Sequence, residues 1–143
     1  MGTALRRAVL AVIVAATLAV APAAWALDDT FDLTVDTARL AAGRHTVFVS
    51  GTYTCGPFDT TGAGFVDLTV QQGRTRGLGS VPILACDGTA QPHEAEVVSN
   101  SDRQFKRGAA RATASGYVEG MAGGESFRQT TQVDNQRITI TRR

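Results

Sequence analysis

Apolar and polar residues alternate along most of the chain with a period of two, the mark of half-buried β-strands, and not with the 3.6 period of a helix. Phe31, Leu33 and Val35 alternate with Thr30, Asp32, Thr34 and Asp36. Val47, Val49, Gly51, Tyr53 and Cys55 form one side of a longer second strand, and Val66, Leu68 and Val70 one side of a third. Residues 81–86 are a fourth apolar run, which Pro82 places at a sheet edge or a strand entry. Ala95 and Val97 mark a strand near residues 93–100. Ala110, Ala112 and Ala114 lead into Gly116-Tyr117-Val118. Residues 126–133 and the Ile138/Ile140 pair complete the set. Seven or eight short strands of this kind predict a sandwich or a small barrel.

The predicted connections are glycine-rich: Gly56-Pro57, Gly62-Ala63-Gly64, residues 73–79, Asp87-Gly88 and residues 120–124. One helical turn is expected at residues 37–42, capped by Asp36. No long helix, internal repeat or second domain is expected.

The N-terminus breaks the pattern. Arg6 and Arg7 precede an uncharged apolar run over residues 8–21, and Ala24-Trp25-Ala26 sets small residues where a signal peptidase cuts. The run is shorter than the roughly 20 residues of a membrane-spanning helix. Residues 1–26 are therefore read as a cleavable signal peptide and residues 27–143 as one domain. The twin arginine admits export by the Tat route, with Sec favoured. No cysteine follows the cut and no apolar tail ends the chain, so free secretion to the extracellular space is expected, with no membrane contact after cleavage.

Export changes the charge and gives the cysteines a role. The whole chain carries +1, and loss of Arg6 and Arg7 leaves 12 basic against 13 acidic residues, a net −1. That balance argues against a nucleic-acid binder. Cys55 and Cys86 are the only cysteines, and two cysteines in an exported domain pair with each other by default. A metal pair would lack its remaining ligands. Tyr53 reads as a strand residue beside this disulfide.

Gly51-Thr52-Tyr53-Thr54-Cys55, Val70-Gln71-Gln72, Cys86-Asp87-Gly88-Thr89 and Phe105-Lys106-Arg107-Gly108-Ala109-Ala110 follow one another in an ordered series. The series resembles a family of small secreted actinobacterial domains of unknown function, over most of residues 32–118. The resemblance implies an all-β, immunoglobulin-like antiparallel sandwich with one disulfide, and it carries no activity. This chain has Gln91-Pro92-His93-Glu94-Ala95 where such proteins tend to place an aromatic after the Cys-Asp-Gly block.

No catalytic residues emerge. His45 and His93 have no neighbouring Cys or His and read as surface or strand-start residues. Asp28, Asp29 and Asp32 lack the glycine turn and distal glutamate of a calcium loop. No serine sits in a Gly-x-Ser-x-Gly elbow, and the glycines of residues 120–124 lack the lysine of a phosphate loop. No metal or cofactor is expected. The suggestive feature is basic: Arg74 and Arg76 in one segment, and Arg103, Lys106, Arg107 and Arg111 in and beyond another. If these segments share one end of the domain, they form a binding patch for an anionic cell-wall polymer or an acidic protein. The leading expectation is a monomeric, non-enzymatic extracellular module that binds through its loops. A small secreted inhibitor, with residues 73–82 as its exposed loop, and a ligand-carrying sandwich are the alternatives, ahead of a hydrolase.

Overall fold

A computed structural model describes residues 31–142. The expected signal peptide, Asp28 and Asp29 lie outside the described residues. Eight strands follow in order: β1 (Asp32–Leu33), β2 (Thr37–Leu40), β3 (Thr46–Thr54), β4 (Thr60–Gln72), β5 (Thr75–Pro82), β6 (Gln91–Ser99), β7 (Gly108–Ala122) and β8 (Glu125–Arg142). They form one sheet in the order β1-β3-β2-β8-β7-β4-β5-β6, and β6 also pairs with β3. That last pairing runs over eight residue pairs, from Thr46↔Val98 to Tyr53↔Gln91. Seven strands thus close into a barrel. Short β1 extends the line of β2 along β3, and the gap is bridged by Thr34 N–H to Thr52 O (2.8 Å) and Asp36 N–H to Ser50 O (2.9 Å).

The immunoglobulin-like sandwich is therefore corrected to a closed barrel. A sandwich keeps two sheets that share no ladder, whereas here β3 is hydrogen-bonded on both sides and the ring has no free edge. Strand directions cannot alternate all the way around a ring of seven, so one neighbouring pair must be parallel. That pair is β2 with β8, the first and last strands of the ring, in the register Ala38↔Ile140.

The interior follows the predicted alternation. Val47 and Val49 of β3, Val66, Leu68 and Val70 of β4, Ala95 and Val97 of β6, and Ala110, Ala112 and Ala114 of β7 all point inward and are buried. A seven-stranded ring leaves space that side chains must fill, and three phenylalanines fill it against glycine. A Cβ on Gly77 would meet the Phe105 ring at 2.8 Å, and one on Gly116 the Phe31 ring at 2.5 Å. Phe58 lies closer still over Gly120. Small residues on the wall are the counterpart of large ones carried in from both ends.

Several local expectations need correction. Residues 37–40 are strand β2 and not a helical turn, because they complete the ring between β3 and β8. Residues 75–82 are strand β5 and not a glycine-rich loop: Gly77 and Gly79 face inward, where Phe105 and Val97 leave no room for a side chain. Residues 81–86, expected as a strand run that Pro82 places at a sheet edge or a strand entry, instead overlap only the end of β5, which stops at Pro82 and is paired on both sides by β4 and β6. Gly62 and Gly64 lie within β4, beside a bulge between Thr61 and Gly64. β8 is one strand of 18 residues, with a bulge opposite Ala112/Ala114 and Asn135 at φ 50°. The extra residue switches the inward parity from Gln129, Thr131 and Val133 to Ile138 and Ile140.

Candidate functional site

Apart from residues 34–36, which run along β3, the strand directions assign the connections to one of two ends. Residues 55–59, 83–90 and 123–124 gather at one. Cys55 and Cys86 are disulfide-bonded there, with Cα atoms 4.8 Å apart. Asp59 accepts from Gly123 N–H (2.8 Å), and Asp87 accepts from Thr89 N–H (2.9 Å) and the Thr89 hydroxyl (2.6 Å). These hydrogen bonds, the hydroxyl's first, hold the Asp87 carboxyl below its ordinary range.

Residues 41–45, residues 73–74, residues 100–107 and Arg142 gather at the other end. Phe105 anchors it: its ring is fully buried in the barrel, and its N–H donates to Arg44 O (2.8 Å). Gln72 holds the neighbouring residue at both backbone groups, accepting from Lys106 N–H (2.7 Å) and donating to Lys106 O (2.8 Å). Ser99 N–H donates to His45 O (2.7 Å), Asn100 N–H to Arg76 O (3.0 Å), and the Ser99 hydroxyl to Arg103 O (2.9 Å). Among the described residues, the hydrogen bonds that fix these loops come from backbone groups and neutral side chains.

The outcome is a basic end. Arg44, Arg74, Arg103, Lys106, Arg107 and Arg142 are all exposed. Among the described residues the ion pairs are Arg39–Glu94 (2.7 Å) and Arg128–Glu119 (3.0 Å), and both lie elsewhere. A groove of about 610 Å³ opens between the loops, with Arg44, Lys106, Arg107 and Arg142 around an apolar floor that includes Leu40 and Phe48. No Asp or Glu is among the described residues that line it.

Of the residues singled out from sequence, Arg74, Arg103, Lys106 and Arg107 come together at this end. Arg76 and Arg111 stand on the outer wall below it. They share one transverse row, because Gln71 of β4 is in register with both, and Arg111 faces Arg137 of β8. Sequence reading missed Arg44, Arg137 and Arg142. The Gly43-Arg44 turn signal could have found Arg44. Arg137 becomes legible only once the bulge has set the β7–β8 register.

The histidines part company. His45 is exposed at the basic end, beside Gln104. His93 is not at the surface: it faces inward near the start of β6 and is buried. Its Nε2 lies 2.9 Å from Thr34 O. A carbonyl only accepts, so Nε2 carries a proton here, and buried Nδ1 has no partner among the described residues. Gly51 opposite leaves the space this ring needs. On the outer wall Tyr117 stacks on Phe65 (centroids 5.5 Å apart) and donates to Glu119, which also accepts from Arg128. The Tyr117 hydrogen bond, then that of Arg128, holds Glu119 below its usual range, and the same Glu119 contact raises Tyr117.

Barrel closure, a filled interior, a disulfide at one end and a cluster of exposed cations at the other define a small, disulfide-clasped β-barrel. The chain belongs to DUF6299, a family of unknown function whose profile matches residues 29–143. Comparison with curated proteins gives no match, nor does comparison with solved structures.

Proposed function

We propose that this protein is an exported, non-enzymatic binding module that captures an anionic partner of the cell envelope through the basic end of its barrel. One observation carries the reading: six exposed cations from four chain segments converge while their loops are fixed by other groups. Six cations against one carboxylate in the same loops, Asp102, which forms no ion pair among the described residues, raise the local potential and attract an anion. Arginine suits the task, since its planar fork grips phosphate or carboxylate at two points. The ligand-carrier alternative is disfavoured by an interior filled with phenylalanine and valine. The inhibitor alternative loses its expected loop, because residues 75–82 are a paired central strand.

The test is co-sedimentation of residues 27–143 with purified cell envelope at low and high salt. Binding should be strong at low salt, weaken steeply as salt screens the charges, and fall sharply in a Lys106→Glu, Arg107→Glu, Arg142→Glu triple variant. Absence of binding at low salt, or binding indifferent to both salt and variant, would overturn the proposal.

A further inference from the structure

The basic end does not stop at the rim. Directly below the loops, the outer wall made by β2, β8 and β7 carries short side chains, among them Thr37, Thr139, Thr141 and Ala109. They leave a trough of about 880 Å³. Arg111 and Arg137 border it at its lower end. Its upper end includes Gln72, which holds the Lys106 backbone of the rim groove. Arg142 stands five positions beyond Arg137 in β8, about 17 Å at the rise of an extended strand. Asp36 is the carboxylate among the lining residues, and it already accepts from the Thr34 hydroxyl (3.0 Å).

The Arg111–Arg137 pairing is unusual in its own right. The two are direct cross-strand partners on the exposed face, an arrangement in which like charges destabilise a sheet. Neither has a carboxylate partner among the described residues. Arg111 is braced by donating to Asn135 O (3.2 Å) at the bulge, so the bulge that turns the β8 parity also steadies this guanidinium. Arg76 continues the row two strands away, about 10 Å further along the wall.

From this geometry we infer that the trough is a subsite for a linear phosphodiester-linked polyol, which runs from the basic rim down the wall to Arg111 and Arg137. The inference rests on the basic end being an anion-binding site, and it names the ligand class. Arg111 and Arg137 in the trough and Lys106, Arg107 and Arg142 at the rim beside it spread the charge over the surface, which suits a chain with repeated charges better than one compact anion. Threonine hydroxyls between them suit hydroxyl-bearing linkers. Two guanidinium groups side by side suit a tetrahedral phosphate, whose oxygens diverge, whereas a planar carboxylate is filled by one fork. Among the described residues the trough lining holds no aromatic side chain of the kind that anchors most protein interfaces.

Synthetic poly(glycerol phosphate) of two and of eight repeats tests this, with oligogalacturonate of eight residues as the carboxylate control. Dissociation constants are measured for residues 27–143 and for an Arg111→Gln, Arg137→Gln variant, whose fold is checked by circular dichroism. The octamer should bind at least about tenfold more tightly than the dimer, the order expected from added charge-assisted hydrogen bonds. The variant should lose that advantage and keep its affinity for the dimer. Equal octamer affinity in variant and wild type would overturn the trough while leaving the basic end standing. So would galacturonate binding as tight as that of the octamer and equally sensitive to the variant. No binding of any of these polyanions by the wild type would remove the trough, and the low-salt envelope assay then decides separately on the basic end.

Discussion

The two ends of the barrel solve the same problem in opposite ways. Each must seal a ring of strands whose wall residues are too small to fill it. The disulfide end does so with Cys55–Cys86 and with carboxylates that accept backbone hydrogen bonds, Asp59 from Gly123 and Asp87 from Thr89. Its charges serve the fold. The basic end is sealed by the Phe105 ring and tied by Gln72 and Ser99, so its cations have no structural task. A charged group that holds nothing together is available for a partner. That difference, more than the number of arginines, is what the proposed binding role rests on.

Breaking the apolar seal should have the largest effect. Phe105→Ala removes a fully buried ring seated on Gly77 and Val97, a change that costs about 3–5 kcal/mol in well-packed sites. Chemical denaturation should report that loss. Because the same residue ties residues 100–107 to Arg44, anion affinity should also fall in the protein that remains folded. A Phe105→Ala variant with undiminished affinity would mean that the basic loops are organised without their plug.

Removing the covalent seal comes next and should separate the ends. Cys55 and Cys86 are 31 residues apart, and in the chain-entropy model such a link contributes roughly 3–4 kcal/mol. The double Cys→Ser variant should lose about that much stability. At temperatures where it stays folded, its polyanion affinity should match the wild type, since the basic end lies at the far side of the barrel. Loss of affinity in the folded variant would show that the two ends are coupled.

A finer cut is Gln72→Ala. The side chain makes a reciprocal pair of hydrogen bonds with Lys106, each worth about 1 kcal/mol net. Stability should fall by roughly 1–2 kcal/mol, and amide exchange should quicken at Lys106 and Arg107 without changing at Thr89. Unchanged exchange would reassign the hold on this loop to Phe105 alone.

The contrast between the ends also explains what could be read from the chain. Alternation exposed the inward faces of β3, β4, β6 and the first half of β7, because Val, Leu and Ala mark them. It failed on β5, where the inward positions include Gly77 and Gly79 and the conspicuous apolar residue, Leu78, points out and is half exposed. It split β8 in two, because one bulge residue reversed the parity between Val133 and Ile138. A period of two is the same in a sandwich and in a barrel, so closure had no local mark. It depends on the β3–β6 and β2–β8 pairings, between segments tens of residues or more apart. The basic segments around Arg74 and Lys106 were legible, and so was the condition that they share an end. Arg44, Arg137 and Arg142 were not, since their place in the site is a matter of register.

The smallest expected effect concerns the wall and gives the comparison an internal control. Glu119 accepts from Tyr117 and Arg128, so it is a carboxylate used as those of the disulfide end are used. These contacts hold its carboxyl below the ordinary value of 4.5. A depressed acid contributes stability that is complete above the ordinary value and is lost as pH falls through the folded one. Tyr117 is raised above 10.0 by the same contact, so its share is present below that value and disappears as pH rises through its own higher one. The groups are exposed, which keeps the gain small and sensitive to salt. Tyr117→Phe removes the hydroxyl and keeps the ring on Phe65. Its melting temperature should fall less steeply between pH 5 and about pH 3 than that of the wild type at low salt, while the two converge at high salt. Polyanion binding should not change in either condition, because Glu119 and Arg128 neutralise each other away from the basic end. A parallel acid profile in the two proteins would show that Glu119 is held by Arg128 alone.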